Sequence, residues 1–389
     1  MKNKGLAAIC LLVVAGILTA GLWPFTPFPK NEVSWSQDGQ GLQFGDYGTV
    51  LSAGLFTPPP PGRACALEVW LVPGLTDDSN TIIAFSTPED PLGFRIGQNR
   101  TTLYFARPVR VRSSSQVQTN WIAIHHVFQQ GKAVFLSVTT EAAGTAVYVN
   151  GSQAKLDPEF GLSSADFKGA MIVANSPVGN NSWSGLMKGI ALYYSALSAQ
   201  QVSEHYHLWM AGHGSNLVNQ NADALYLFRE RGNRIANMGS GKQPDLIIPK
   251  SYTVLRPSFL VPFWKTFEFT RWYGLDVFNN VVAFVPLGFL LSAFLSGTRF
   301  RSHSFWSTVF FGAGVSLTIE VLQYFIPTRD SGTMDLLTNT AGTTIGAWLY
   351  LLEARYGWLG KLPMAGRVWK VLYPTNDRAT SSVGSKLTA

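Results

Sequence analysis

The stretch TIEVLQYFIPTRDSGTMDLLTNTAGTTIGAWLYLL, residues 318–352, combines two properties that seldom occur together. Most of its residues are apolar enough for a lipid bilayer, yet ionisable and amide side chains recur along it. These are Glu320, Gln323, Arg329, Asp330, Asp335 and Asn339. Charged side chains are costly in hydrocarbon, so they are expected to face the interior of a helix bundle and to have a function there. The stretch therefore predicts two membrane helices joined by a short polar loop at 326–333.

The composition of the whole chain predicts one soluble part and one membrane part. Of its 389 residues, 46% are hydrophobic and only 14% are charged, whereas charged residues make up roughly a quarter of an ordinary soluble domain. The net charge is +7, but the basic residues lie mainly in the tails and one short loop. This distribution is typical of membrane topology and argues against a nucleic-acid partner.

Four segments are predicted to cross the membrane, at 5–23, 278–295, 305–325 and 334–352. Each has about 18 to 21 residues, close to the roughly 20 that span about 30 Å of hydrocarbon. We interpret residues 1–23 as an N-terminal signal anchor. The alternative is a cleaved signal peptide with its small-residue site near Ala20.

Basic residues in short flanking segments predict the orientation of these helices. Lys2 and Lys4 place the N-terminus in the cytoplasm, and Arg299 and Arg301 place the loop between the second and third crossings there too. The basic tail at 354–389 is also expected in the cytoplasm. Residues 24–270 and the loop 326–333 are then expected outside the cytoplasm, in a multi-pass protein of the plasma or inner membrane.

Residues 33–210 are predicted to form an all-β domain. Short runs rich in β-branched and aromatic residues alternate with Gly, Pro, Asn and Asp, which is typical of a sandwich or jelly roll. The runs ALEVWLVPG, WIAIHHVF, AVYVNGSQ and NSWSGLMKGIALYYSALSAQQVSEHY follow one another in an order that resembles laminin-G-like, concanavalin A-type jelly rolls. This resemblance implies glycan binding and, in some members, calcium.

No cofactor and no metal site is predicted in this domain. The loops TPEDP, with Glu89 and Asp90, and LTDDSN, with Asp77 and Asp78, are the acidic clusters nearest to a calcium pattern. A calcium site needs six to eight converging oxygen ligands, and two adjacent carboxylates do not supply them. Calcium in the jelly roll is therefore compatible with the fold but unsupported by the residues.

Residues 211–275 are interpreted as a connector that ends in an interfacial segment. Its last part is aromatic, and Trp264, Trp272 and Tyr273 suit the membrane–water interface before the second crossing. The alternative is a linker that packs on the jelly roll.

The spacing of polar residues in the membrane part predicts one polar pocket. Glu320 and Gln323 are three residues apart, and Asp335 and Asn339 are four apart, so each pair shares one helix face. Asn280 begins a similar row on the second crossing. All these positions fall near the same end of their helices, which is the outer end in the predicted topology.

Small residues continue two of these rows and predict close helix packing. Gly342 and Gly346 follow Asn339 in steps of four, and Phe284 and Gly288 follow Asn280. Such residues let membrane helices approach closely. The faces should therefore meet in an outward-opening pocket, with Arg329 available to pair with Glu320, Asp330 or Asp335. The alternative is a purely structural lock that holds the helices together.

The same residues resemble the VanZ family. NVVAFVPLGF is followed by IEVLQYFIPTRDSGTMDLLTNTAGTTIG, in the pattern N-x-x-x-F-x-P-x-G-F, E-x-x-Q, R and D-x-x-x-N-x-x-G-x-x-x-G. The family takes its name from resistance to the glycopeptide antibiotic teicoplanin. The resemblance implies cell-envelope work at the outer membrane face, on lipid-linked or extracellular polysaccharide. It defines 276–353 as a VanZ-like region of three helices, and the inserted jelly roll departs from the compact family form.

Two functions remain open from the sequence. In the favoured one the protein is not an enzyme: the pocket of Asn280, Glu320, Gln323, Arg329, Asp335 and Asn339 binds a lipid-linked glycan, and the jelly roll binds a glycan or an envelope protein. In the alternative, Glu320 acts as acid or base on such a substrate with Asp335 assisting. Neither scheme requires a metal.

Overall fold

The computed structural model describes residues 2–60, 64–77, 79–110, 117–229, 231–266 and 271–357. Asp78 and most of the basic tail lie outside the described residues. The chain divides into two compact units. The helical unit takes the described residues of 1–25, 259–325 and 331–389, and the sandwich unit takes those of 26–258 and 326–330.

The chain contains sixteen strands and six α-helices among its described residues. The strands are β1 (Val33–Trp35), β2 (Leu42–Phe44), β3 (Val50–Ser52), β4 (Ala66–Pro73), β5 (Ser79–Ser86), β6 (Arg95–Asn99), β7 (Thr102–Arg110), β8 (Val117–Ile124), β9 (Val134–Glu141), β10 (Gly144–Val149), β11 (Ser152–Asp157), β12 (Ala170–Val173), β13 (Gly185–Tyr193), β14 (Ala224–Tyr226), β15 (Arg234–Ile235) and β16 (Leu246–Ile247). The helices are α1 (Lys2–Leu22), α2 (Ala199–Met210), α3 (Phe263–Thr266), α4 (Arg271–Ser296), α5 (Ser304–Gln323) and α6 (Thr333–Tyr356).

The sandwich unit consists of two antiparallel sheets, as the sequence predicts. One sheet has the order β1-β2-β13-β4-β9-β10-β11, with β14 also paired to β13, and the other has the order β15-β16-β3-β12-β5-β6-β7-β8. Apolar residues that alternate along the strands meet between the sheets in one large core. A second, smaller core lies around α2, next to strands of the first sheet.

The sandwich extends further along the chain than residues 33–210. Three strands come from the segment that was interpreted as a connector: β14 pairs with β13, β15 pairs with β16, and β16 pairs with β3. These strands are only two or three residues long, so they lack the alternation that reveals a strand in sequence. The alternative of a segment that packs on the jelly roll therefore describes 211–258. An interfacial location remains a prediction for 259–275, in which Trp264 is exposed.

Three helices of the described chain are long and apolar enough to cross a membrane: Lys4–Leu22, Tyr273–Ser296 and Arg301–Gln323. They coincide with the first three predicted crossings. The fourth, α6, has 24 residues, which corresponds to about 36 Å of helix, but it is more polar than the other three. Many of its polar residues are buried, including Thr338, Asn339 and Thr343. A helix whose polar groups face its neighbours need not be apolar all round, so its crossing remains a prediction.

Candidate functional site

The candidate site is positioned by a close contact between α4 and α6. A Cβ atom at Gly342 would overlap the carbonyl oxygen of Val281, and one at Gly346 would overlap that of Val285. Gly288 meets the backbone of α6 in the same way. Because the obstacles are backbone atoms, any larger residue would push the helices apart. This confirms the predicted close approach along the glycine rows.

This packing brings together the polar ends of three helices. Glu320 and Gln323 lie in the last turn of α5, Asp335 and Asn339 lie in the first two turns of α6, and Asn280 lies in the third turn of α4. We call these five residues the polar cluster. All five were expected from the sequence, and the structure adds the partners that hold them.

Asn280 and Asp335 connect α4 to α6 directly. The side-chain N–H of Asn280 donates to Asp335 Oδ1 over 2.9 Å. Asp335 is partly exposed and lies in the first turn of α6. A carboxylate in the first turn interacts favourably with the helix dipole. The sequence predicted only that these two helix faces meet, because spacing along one helix does not specify the partner residues on a neighbouring helix.

Glu320 is fully buried and connects α5 to the start of α6. Its Oε2 accepts a hydrogen bond from the backbone N–H of Gly332 over 2.7 Å. Gly332 is the N-cap residue of α6 and has no side chain to cap the helix itself. The carboxylate thus satisfies a backbone donor just before the helix. Within the described residues, Glu320 Oε1 has no hydrogen-bond partner.

The two amide side chains repeat this pattern of one satisfied and one open atom. Gln323 donates from Nε2 to the carbonyl oxygen of Gly21 in α1 over 2.8 Å, and Asn339 donates from Nδ2 to Ser316 Oγ over 3.0 Å. Both amide oxygens lack a hydrogen-bond partner within the part of the chain that the structure describes. Ser316 lies one turn before Glu320, so its position on this face could have been inferred from the sequence.

Three buried acceptor oxygens therefore remain open in the polar cluster. They belong to side chains that are 0% (Glu320), 8% (Gln323) and 5% (Asn339) exposed. An unpaired buried polar atom costs free energy, and unexplained ones at a native site point to water or a ligand. Because the open atoms are all acceptors and each of these two amide nitrogens already donates one hydrogen bond, the cluster is suited to hydrogen-bond donors.

A short extended segment holds the start of α6 and was not predicted. Val261 donates its N–H to the carbonyl oxygen of Ser331 over 2.9 Å, and Thr333 donates its N–H to the carbonyl oxygen of Val261 over 2.9 Å. Leu260 also donates to Ser331 Oγ over 3.2 Å. These contacts fix the backbone that carries Gly332. No local sequence signal marks a two-residue pairing of this kind.

The loop residues Arg329 and Asp330 group with the sandwich unit rather than with the helices. Asp330 Oδ1 accepts from the backbone N–H of Asn180 over 3.2 Å, and Arg329 is exposed. Pairing of Arg329 with Glu320, Asp330 or Asp335 remains a prediction. In the described ranges, no three His, Cys, Asp or Glu side chains are grouped as a metal site would require.

Comparisons with known proteins match two different parts of the chain. Residues 232–354 match the family model described as VanZ/LLP1, and residues 45–203 match the concanavalin A-like lectin/glucanases superfamily. Protein VanZ of Enterococcus faecium is 30% identical over 97 residues, which cover 25% of this chain and 54% of that protein. The chain thus spans about half the length of this curated relative. Both predicted resemblances are confirmed.

Solved structures match this chain at low similarity. A SAP-like pentraxin from Limulus polyphemus has a TM-score of 0.33 at 15% identity, covering 54% of this chain and 98% of its own. A candidate carbohydrate-binding protein from Bacteroides ovatus has a TM-score of 0.36 at 11% identity, covering 59% of this chain and 62% of its own. The chain carries a VanZ/LLP1 domain and a concanavalin A-like domain, and its apolar helices associate it with membranes.

Proposed function

We propose that this protein works in the cell envelope, where the polar cluster binds the sugar part of a lipid-linked or extracellular glycan. One observation carries the proposal: three buried acceptor oxygens, on Glu320, Gln323 and Asn339, have no hydrogen-bond partner among the described residues. Sugar hydroxyl groups are donors that match these acceptors. The superfamily of the sandwich, which includes lectins and glucanases, supports a saccharide as the ligand.

The proposal includes the orientation in the membrane. Lys4 lies in the first turn of α1, and Arg299 and Arg301 lie between α4 and α5. These basic residues favour a cytoplasmic location for that end of the helices. The polar cluster and the sandwich would then face the outside, where envelope glycans are assembled. Labelling of single cysteines introduced at Arg301 and Gln200, with a membrane-impermeant reagent on intact cells, tests this: only the cysteine at position 200 should react.

A membrane enzyme is the second candidate. Glu320 is a buried carboxylate with one open oxygen, which is the arrangement of a general acid or base awaiting a substrate proton. Asp335, in the first turn of α6, would assist. Both binding and catalysis would require Glu320, so loss of binding does not separate the two functions. Product formation distinguishes them.

The experiment uses the full chain in nanodiscs with polyprenyl-diphosphate-linked oligosaccharides, and measures both retention and product formation. We expect retention by the wild type and its loss in Glu320→Gln, with membrane insertion intact. Glu353→Gln is the matched control, because Glu353 is a buried glutamate near the other end of α6. Product formation that disappears in Glu320→Gln favours the enzyme.

A structural lock predicts a different result. If Glu320 only caps α6, Glu320→Gln and Glu320→Ala should lower the unfolding temperature while the folded fraction binds with unchanged affinity. Equal affinity of the wild type and both variants contradicts the proposal.

One further variant and one further assay extend the tests to the other predicted features. Arg329→Ala should also abolish retention if the loop contributes to the site. A link to teicoplanin is tested by the inhibitory concentration of that antibiotic for a sensitive host expressing the wild type or Glu320→Gln.

A further inference from the structure

A groove lies on the sandwich unit, whereas the polar cluster belongs to the helical unit. The groove has a volume of about 540 Å³ and is formed where β5, β6, β7 and β8 come together. Its lining includes Asn99, Arg100, Thr102, Tyr104, Trp121 and His125. This volume is within the roughly 300–1,000 Å³ of small-molecule sites.

Two aromatic rings form one wall of the groove. Trp121 lies within strand β8, yet 54% of it is exposed. Its ring centroid is 5.4 Å from that of Tyr104, at an interplanar angle of 57°. Tyr104 lies against Gly97, where a Cβ atom would overlap its ring. The tyrosine is thus held in place and half-buried, while the tryptophan presents an open apolar face.

The polar rim is fixed by buried hydrogen bonds. Arg100 lies in the turn between β6 and β7 with φ +54°, a conformation that few non-glycine residues adopt. The buried side chain of Gln98 holds this turn, because its Nε2 donates to the carbonyl oxygen of Arg100 over 2.9 Å. Gln98 Oε1 in turn accepts from Trp183 Nε1 over 2.8 Å. A strained turn that is held from inside the core places Arg100 at a defined position.

The charges in the groove select the ligand. Arg100 is the one permanent charge among the nine lining residues, and none of these nine is Asp or Glu. His125 adds a ring nitrogen, Nδ1, that lies 3.1 Å from the Thr102 hydroxyl. An arginine without a carboxylate among the described lining residues is suited to pair with a carboxylate supplied by a ligand, through two parallel hydrogen bonds.

We propose that this groove binds an acidic saccharide, with the sugar ring against Trp121 and Tyr104 and its carboxylate on Arg100. The inference deepens the proposed function and rests on it for the choice of a saccharide. An apolar ring face, a carboxylate and several hydroxyl groups in one small ligand satisfy the aromatic wall, the cation and the Asn and Thr side chains together. A uronic acid within an envelope polysaccharide has this chemistry.

The test is binding of the full chain, in detergent, to immobilised oligosaccharides. The acidic set comprises hyaluronate, alginate and polygalacturonate fragments, and the neutral set comprises dextran and β-glucan fragments. We expect binding to at least one acidic fragment, weakened at high salt because exposed charges are screened. Trp121→Ala should lower the affinity by about tenfold or more, as expected for a central aromatic contact.

Arginine variants test the carboxylate contact. Arg100→Gln should lower the affinity for acidic fragments by about threefold or more, because a hydrogen bond to a charged group is lost. Arg100→Lys should restore only part of it, since lysine lacks the planar fork. Leu55→Ala and Arg231→Gln are matched controls at exposed positions of the same unit, and both should bind like the wild type.

Several results would overturn the groove proposal. In one such result, the folded chain binds none of the acidic fragments. In another, Trp121→Ala and Arg100→Gln leave the affinity for acidic fragments unchanged. In the third, neutral and acidic fragments bind equally well. Circular dichroism of each variant establishes that it is folded. Trp121→Ala and Arg100→Gln are also measured in a Glu320→Gln background, where their effects should persist, so failure of the polar cluster and failure of the groove give different results.

Discussion

Replacement of Gly346 by alanine should weaken the helical unit by about 1–2 kcal/mol. The added methyl group would overlap the carbonyl oxygen of Val285, and would lie 2.8 Å from the backbone N of Phe289 and 3.0 Å from Gly288 Cα. These are backbone atoms of α4, so no side-chain rotation relieves the overlap. Overpacking of this kind costs about 1–3 kcal/mol, while alanine in place of glycine returns about 0.5–1 kcal/mol of helix stability.

The two cysteines provide an assay for each unit. Cys10 is buried in α1 of the helical unit, and Cys65 is buried in the sandwich. In a Cys65→Ala background, a thiol-reactive dye reports unfolding of the helical unit through Cys10 alone. We expect the Gly346→Ala variant to show a lower midpoint temperature in this assay.

Gly314→Ala is the matched control for this prediction. Gly314 is also a helical glycine, in α5, but a Cβ atom there meets nothing within 4 Å. Its midpoint should stay the same or rise slightly, since only the helix propensity changes. Equal midpoints for Gly346→Ala and Gly314→Ala would refute the reasoning that backbone contact along α4 and α6 sets the stability.

Three other predictions concern single contacts. Asn280→Asp places a second carboxyl group beside Asp335, and it should lower the Cys10 midpoint more than Asn280→Ala does. Glu68→Ala should destabilise the sandwich by about 1–3 kcal/mol in chemical unfolding, because the buried His205, 2.9 Å away, loses its hydrogen-bond partner; Glu68→Gln should cost less. A backbone N–H and an arginine lower the pKa of Asp245, so its contribution to stability is present above about pH 4 and is lost as the pH falls further. Asp245→Asn should therefore flatten the loss of sandwich stability in acid.

In the polar cluster, residue spacing predicts which side chains share a helix face but not which atoms they contact. Positions three or four apart place Glu320 with Gln323, and Asp335 with Asn339, on single helix faces, because helix geometry is local. The sequence does not specify that Glu320 accepts from Gly332 or that Asn339 donates to Ser316. Those partners depend on the rotation and separation of neighbouring helices, which the glycine contacts set.

The sandwich shows a similar division. Long strands such as β4 and β9 are evident from their apolar runs, and the buried face follows from alternation. The two-residue segments β15 and β16 are strands only because β15 pairs with β16 and β16 pairs with β3. The groove beside Trp121 is assembled from four strands and has no signature in any one of them.

By itself, the sequence determined the two-part architecture, the apolar helices and the residues that share each helix face. Hydrophobicity and periodicity are properties of a few neighbouring residues, so they can be recognised in the sequence alone. The tertiary structure decided which polar atoms are paired and which remain open. That outcome depends on distances between segments far apart in the chain, such as Gly21 and Gln323, and these distances exist only after the helices have packed.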